Sequence, residues 1–134
     1  MMRARLYIVE DQAVTALDLR LRLVGAGYTV VGTAADAQTA IEAIDRLRPD
    51  LVLMDIRLKG STDGIQAAEE IWVRHRIPIV FVSAHSDIET IKRAESTHLA
   101  AFVLKPYDEQ ELLLAIELGL ERRGVDSSSR SSAP

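Results

Sequence analysis

The 134-residue chain has no cysteine, which excludes disulfides, thiolate metal sites and cysteine nucleophiles. It has no stretch near the roughly 20 consecutive apolar residues that a bilayer crossing demands. The short apolar run after Met1-Met2-Arg3-Ala4-Arg5 is ended by Glu10-Asp11, too soon for a signal peptide. A basic excess is also missing: 20 acidic against 16 basic side chains leave a net charge of −4. Such a balance gives no electrostatic grip on a phosphate backbone, so direct nucleic-acid binding and membrane attachment are not expected. No internal repeat is present. What remains is 48% apolar composition, enough for the core of one domain, expected to be cytoplasmic.

Five apolar runs rich in Val, Ile and Leu recur along the chain: Leu6 to Val9, Val30 to Ala34, Leu51 to Met54, Ile79 to Val82, and Ala101 to Leu104. Near-continuous apolarity marks strands of a parallel sheet covered on both faces. The segments between them carry a helical period: Val14, Leu17, Leu21 and Val24, then Ala37, Ile41, Ile44 and Leu47, then Ile65, Ala68 and Ile71. A last helix follows with Leu112, Leu113, Ile116 and Leu120, and the fourth, from about residue 87 to 96, has the weakest apolar face. Ser86 with Glu89, and Asp108 with Glu111, have the spacing of an N-cap and an acidic third position. Gly25-Ala26-Gly27 reads as a helix stop, since it follows a helix and lacks the third glycine of a dinucleotide loop.

Strand and helix alternating five times predict an α/β fold, flavodoxin-like (βα)5, with a doubly wound five-stranded parallel sheet in the order 2-1-3-4-5. The domain is expected over residues 4–123. The Ser-rich remainder, 124–134, is expected to be a disordered tail, because it cannot bury enough apolar area to offset its ordering entropy.

In this strand order, ligands bind at the carboxyl ends of the strands, where the winding reverses. The residues at those ends are Glu10 and Asp11, Asp55, Ser83 and Lys105, with only Asp36 near the second strand. Any one of them has an ordinary reading, and Asp11 in particular is a candidate N-cap for the first helix. Their convergence carries the inference. Three carboxylates in one crevice repel, and a bound divalent cation relieves this. An all-oxygen, shallow site with room for water favours Mg²⁺. Beside that ion and Lys105, Asp55 is placed to accept a phosphoryl group, with Ser83 and Lys105 balancing charge on the transferred oxygens.

The segments Ile8-Val9-Glu10-Asp11, Leu53-Met54-Asp55-Ile56, Val82-Ser83-Ala84 and Leu104-Lys105-Pro106, in that order, resemble the receiver domains of two-component response regulators over about residues 4 to 122. The resemblance implies that Asp55 is the phosphoacceptor. It also implies that Asp11, Asp55 and the backbone carbonyl of Arg57 hold Mg²⁺, with Glu10 acting through a bound water. Lys105 would be the phosphate partner, Ser83 the mobile hydroxyl, and the Lys105–Pro106 bond cis. Phe102 falls where the family places a switch aromatic, and a plain core aromatic is the alternative.

Arg57 and His85 occupy positions that tune phosphoryl lifetime in the family, although a solvated loop imidazole is the simpler account of His85. The loop from Ile56 to Asp63 is one residue longer than the commonest form and lacks its proline, while Asp63-Gly64 can still turn into the third helix. His75 and His98 are expected at solvated positions, Trp72 in packing, and Arg20, Arg22, Arg46, Arg48, Arg122 and Arg123 as solvated faces or helix-end charges.

The expected function is a phosphorylation switch, autocatalytic in gaining and losing phosphate but not a turnover enzyme. Its donor would be a sensor histidine kinase or histidine phosphotransfer protein. It would signal to a downstream protein through the fourth helix, fifth strand and fifth helix, a face that also offers a homodimer contact. A stand-alone regulator is the simplest reading of the chain, and a fragment of a longer one the alternative. A haloacid-dehalogenase-type phosphatase requires a second Asp two residues after the nucleophile, where Arg57 stands. A decoy receiver would lack an acidic residue or the Lys, and neither is missing.

Overall fold

The computed structural model describes residues 4–85, 87–97 and 99–123; the expected tail, Ser86 and His98 lie outside them. The elements alternate as β1 (Arg5–Val9), α1 (Ala13–Gly25), β2 (Thr29–Ala34), α2 (Ala37–Leu47), β3 (Leu51–Met54), α3 (Gly64–His75), β4 (Ile79–Ser83), α4 (Ile88–Glu95), β5 (Leu99–Leu104) and α5 (Glu109–Arg123). All strand pairs are parallel, in the order β2-β1-β3-β4-β5. This is the expected flavodoxin-like arrangement.

Side chains alternate across a strand, and here the alternation sorts the core into two layers. Tyr7, Val9, Val52, Met54 and Phe81 face the layer under α2, α3 and α4. Leu6, Ile8, Leu51, Leu53, Val80 and Val82 face the layer under α1 and α5. The central strand β3 is buried along its whole length, which explains why its four residues are all large and apolar. Tyr7 needs room on β2: a Cβ at Gly32 would lie 2.8 Å from the Tyr7 ring, and the β1–β2 register shifts beside it, between Leu6 and Tyr7.

The first helix departs from the periodicity reading. Leu19 and Leu23 are its buried residues, whereas the stripe read as its core face is turned to solvent, with Val14 82%, Leu17 56%, Leu21 63% and Val24 52% exposed. The helix has apolar residues on two sides, and counting favoured the more populous one. The helix stops as expected, at Ala26 and Gly27, the glycine taking φ 101°.

Asp108 accepts from the Glu111 N–H at 2.7 Å, as its spacing requires. The N-cap of the fourth helix is Asp87, which accepts from the Thr90 N–H; Ser86, expected in that role, lies outside the described residues. Both Asp87 oxygens are used, each accepting from the Thr90 hydroxyl. His75 is not a solvated residue. Its side chain is 9% exposed, and Nε2 lies 2.6 Å from Asp45 of α2, which also pairs with Arg74. Trp72 is half-buried, with the Arg76 guanidinium 5.3 Å from its ring centroid.

Among the described residues no helix is long and apolar enough to cross a membrane.

Candidate functional site

The sheet holds the site residues by its own hydrogen-bond ladder, continued one step past the strands. The Glu10 N–H donates to Ala34, the Asp55 N–H to Val9, and the Lys105 N–H to Ser83, at 2.9, 2.9 and 3.0 Å. Their backbones are therefore fixed by the sheet itself. Behind Asp55 the fit is close: a Cβ at Gly64 would sit 1.9 Å from the Asp55 carbonyl oxygen. Only glycine lets the first turn of α3 approach the end of β3 in this way. Asp63 and Gln66 cap that turn reciprocally, each side chain accepting the other's backbone N–H.

The Lys105 ammonium bridges two carboxylates, with Nζ 2.6 Å from Glu10 Oε1 and 3.0 Å from Asp55 Oδ2. Both carboxylate residues are buried. Burial pushes Glu10 above the usual carboxylate range, against the pull of Lys105 and of the Gln12 N–H, and the charge of Asp55 adds to the rise. For Lys105, burial opposes the charged form, but the hydrogen bonds to Glu10 and Asp55 outweigh it and raise the ammonium above its ordinary value.

Asp11 completes the group. Oxygens of Glu10, Asp11 and Asp55 lie within 4.8 Å of one another. The alternative role of Asp11 as a helix cap is not realised, because the N-cap of α1 is Gln12, which makes no side-chain cap bond. Asp11 is thus left available to the cluster. Three carboxylates against one ammonium leave excess negative charge, and an all-oxygen donor set with no His or Cys fits a hard divalent cation such as magnesium.

Around this centre, Ser83 is fully buried and its Oγ accepts from the His85 N–H at 3.3 Å. The Arg57 N–H donates to Asp55 Oδ1 at 3.3 Å, while its side chain is exposed. Phe102 is half-buried and tilted against Phe81, ring centroids 6.1 Å apart. The Lys105–Pro106 bond is cis. Asp36 stands apart as the N-cap of α2. A cleft of about 410 Å³ opens beside Glu10 and Asp11, walled by Leu17 and Arg20 of α1, Thr33 and Lys59.

Two parts of this surround were not legible. Lys59 reaches the cleft because its backbone forms an isolated parallel bridge with Asp36, a pairing with no local sequence signal. Tyr107 joins Asp18 and Arg22 of α1 beside the site; an aromatic two residues past Lys105 was the available cue.

The family profile described as "Response regulator receiver domain" matches residues 6–117. The transcriptional regulatory protein PdtaR of Mycobacterium tuberculosis is 39% identical over 118 residues, covering 88% of this chain and 57% of that protein. The DNA-binding response regulator MtrA of Mycobacterium leprae is 32% identical over 123 residues, covering 90% of this chain and 53% of that one. The chain therefore spans about half the length of these curated relatives. Among solved structures, the signal receiver domain of a modulated diguanylate cyclase from Desulfovibrio desulfuricans G20 superposes with a TM-score of 0.87 at 31% identity, covering 92% of this chain and 98% of that one. With the strand order, the carboxylate cluster and the lysine already in place, these likenesses establish that the chain belongs to the receiver-domain family of two-component response regulators, proteins that act as signalling switches.

Proposed function

We propose that Asp55 accepts a phosphoryl group from a phosphohistidine on a sensor kinase or phosphotransfer protein. The observation that carries this reading is Lys105 bridging Glu10 and Asp55 while Asp11 stands beside them uncommitted to a helix cap. Asp11, Asp55 and the Arg57 carbonyl would hold Mg²⁺, and Glu10 would act through a bound water. When bound, the ion supplies positive charge against the phosphoryl oxygens.

In the transfer, a carboxylate oxygen of Asp55 forms a bond to phosphorus as the phosphorus–nitrogen bond of the donor breaks, and the imidazole leaves with that electron pair. Lys105 already touches Asp55 and follows the new anionic oxygens. Ser83, whose Oγ accepts from the His85 N–H, turns to donate its hydroxyl proton to a phosphoryl oxygen, and Phe102 turns toward the space that hydroxyl leaves. Arg57 and His85, flanking the acceptor and Ser83, set how readily water reaches the phosphoryl group.

The output is a change in the face made by α4, β5 and α5, biased by charge added at one point. That face exposes Ile88, Leu104, Leu114 and Leu118, and it would contact a downstream protein or a second copy. A protein donor also has a place to rest. The exposed apolar stripe of α1 runs from the cleft beside Asp11, where Leu17 forms part of the wall, and contiguous apolar surface of this kind marks interaction sites.

The test is incubation with acetyl phosphate and Mg²⁺, read by intact mass. Wild type gains one phosphoryl group and Asp55→Asn does not; equal gain by both, or none by wild type, overturns the reading.

A further inference from the structure

Lys105 is aimed by a loop that has its own anchor. Two residues beyond it, the Tyr107 hydroxyl donates to Asp18 Oδ2 of α1 at 3.3 Å. The same carboxylate oxygen accepts from Arg22 Nε at 2.8 Å. The Arg22 guanidinium lies 5.8 Å from the Tyr107 ring centroid and reaches Glu109 Oε1, at the start of α5, at 3.4 Å. One arginine thus joins the ring, the carboxylate and the next helix. The Tyr107 ring packs on the core layer under α1 and α5, so the hydroxyl is held at the edge of that layer and faces the helix. Burial, reinforced by Asp18, pushes the phenol up to about 12, and the hydroxyl stays a donor across ordinary pH.

These contacts do not touch the carboxylate cluster, and the helix they grip is the one whose outer face is apolar and unpartnered. We propose that Tyr107, Asp18 and Arg22 form a positioning clamp that fixes the Lys105 loop to α1, and so sets the reach of the ammonium toward Asp55. The clamp rests on the reading of Asp55 as phosphoacceptor, and it adds positioning residues outside the reacting atoms.

The contribution of a correctly aimed group is steep in distance, on the order of 100-fold for a 1 Å misplacement. Because the sheet bond from the Lys105 N–H to Ser83 remains, release of the clamp costs less, roughly three- to tenfold in phosphorylation rate. The variants are Tyr107→Phe, which keeps the ring and removes the donor, and Asp18→Asn, which removes the charge that both partners share.

Two readouts are taken on the full chain. The first is the rate of phosphoryl gain from acetyl phosphate with Mg²⁺. The second is the ¹³Cε–¹Hε resonance of Lys105, identified by its loss in Lys105→Arg; the chain has three lysines, the others being Lys59 and Lys92, so the spectrum is simple. Each single variant is expected to slow the rate and to move the Lys105 resonance toward its unconstrained position, leaving Lys59 and Lys92 in place. The double variant should be no slower than the slower single. Unchanged rates, a slowed rate with an unmoved Lys105 resonance, or multiplicative losses in the double variant overturn the clamp. Failure of wild type to gain phosphate instead counts against Asp55 as acceptor, and the resonance still decides whether Tyr107 positions Lys105.

Discussion

Helices α1 and α2 flank the same edge of the sheet, on opposite faces, and their sequences invite the same treatment with opposite results. In α2 the stripe Ala37, Ile41, Ile44 and Leu47 turns inward: the first three are buried and Leu47 packs against them. In α1 the stripe Val14, Leu17, Leu21 and Val24 turns outward, and Leu19 and Leu23 make the core contact. The polar positions explain the contrast. The opposite side of α2 carries Gln38, Glu42 and Asp45, leaving one apolar face. In α1 the polar residues Asp18 and Arg22 lie on the flank facing Tyr107 and Glu109, and leucines occupy the faces to either side. Periodicity shows that a helix has an apolar side; it does not say which of two such sides the sheet takes.

The largest expected effect breaks this comparison directly. Ile44→Ala in α2 and Leu23→Ala in α1 should each lose about 2–5 kcal/mol of stability, the cost of lost burial plus an unfilled cavity. Leu21→Ala, two residues from Leu23 on the same helix, should stay within about 0.5 kcal/mol. Urea denaturation of the three variants measures this. A loss at Leu21 equal to that at Leu23 would mean that the outward stripe is packed after all.

Next in size is what the outward stripe does. Leu21→Glu places a charge in the middle of the apolar surface without touching the core. It should slow phosphotransfer from a protein phosphohistidine donor roughly tenfold, as truncation of an interface anchor does. Phosphorylation by acetyl phosphate, which needs no docking surface, should stay within about twofold of wild type. Equal transfer from the protein donor by the variant and wild type would remove α1 from the docking surface.

The same contrast decides how much was legible beforehand. Strands were readable because burial on both faces leaves an uninterrupted apolar run, as in Leu51 to Met54. The cluster of Glu10, Asp11, Asp55 and Lys105 was readable because each follows such a run, so that strand order alone brings them together. The orientation of α1 was not, since it is set by contacts with Tyr107 and Glu109, 87 or more residues away. The same holds for His75, whose partner Asp45 is 30 residues distant. The cap of α4 was missed by a single position because Ser86 and Asp87 are both good caps, and only the backbone chooses between them. Gly64 was seen as a turn; the close approach to the Asp55 carbonyl that makes it necessary depends on where β3 ends.

The smallest effect concerns helix beginnings, where α1 again differs from its neighbours. Asp36, Asp63 and Asp87 cap α2, α3 and α4 through their side chains, whereas α1 starts at Gln12 with no such bond, and the nearest Asp belongs to the carboxylate cluster. A carboxylate at the cap itself would stand next to three others and add a fourth negative charge to the group. Gln12→Ser supplies the missing acceptor without charge. It should raise stability by about 0.5–1 kcal/mol, the usual worth of a serine cap, in urea denaturation without metal. Asp11→Ala should lose none under the same conditions, because it removes repulsion and no cap bond. Loss of about 1 kcal/mol on Asp11→Ala, the amount a broken cap costs, would show that Asp11 serves the helix first and the cluster second.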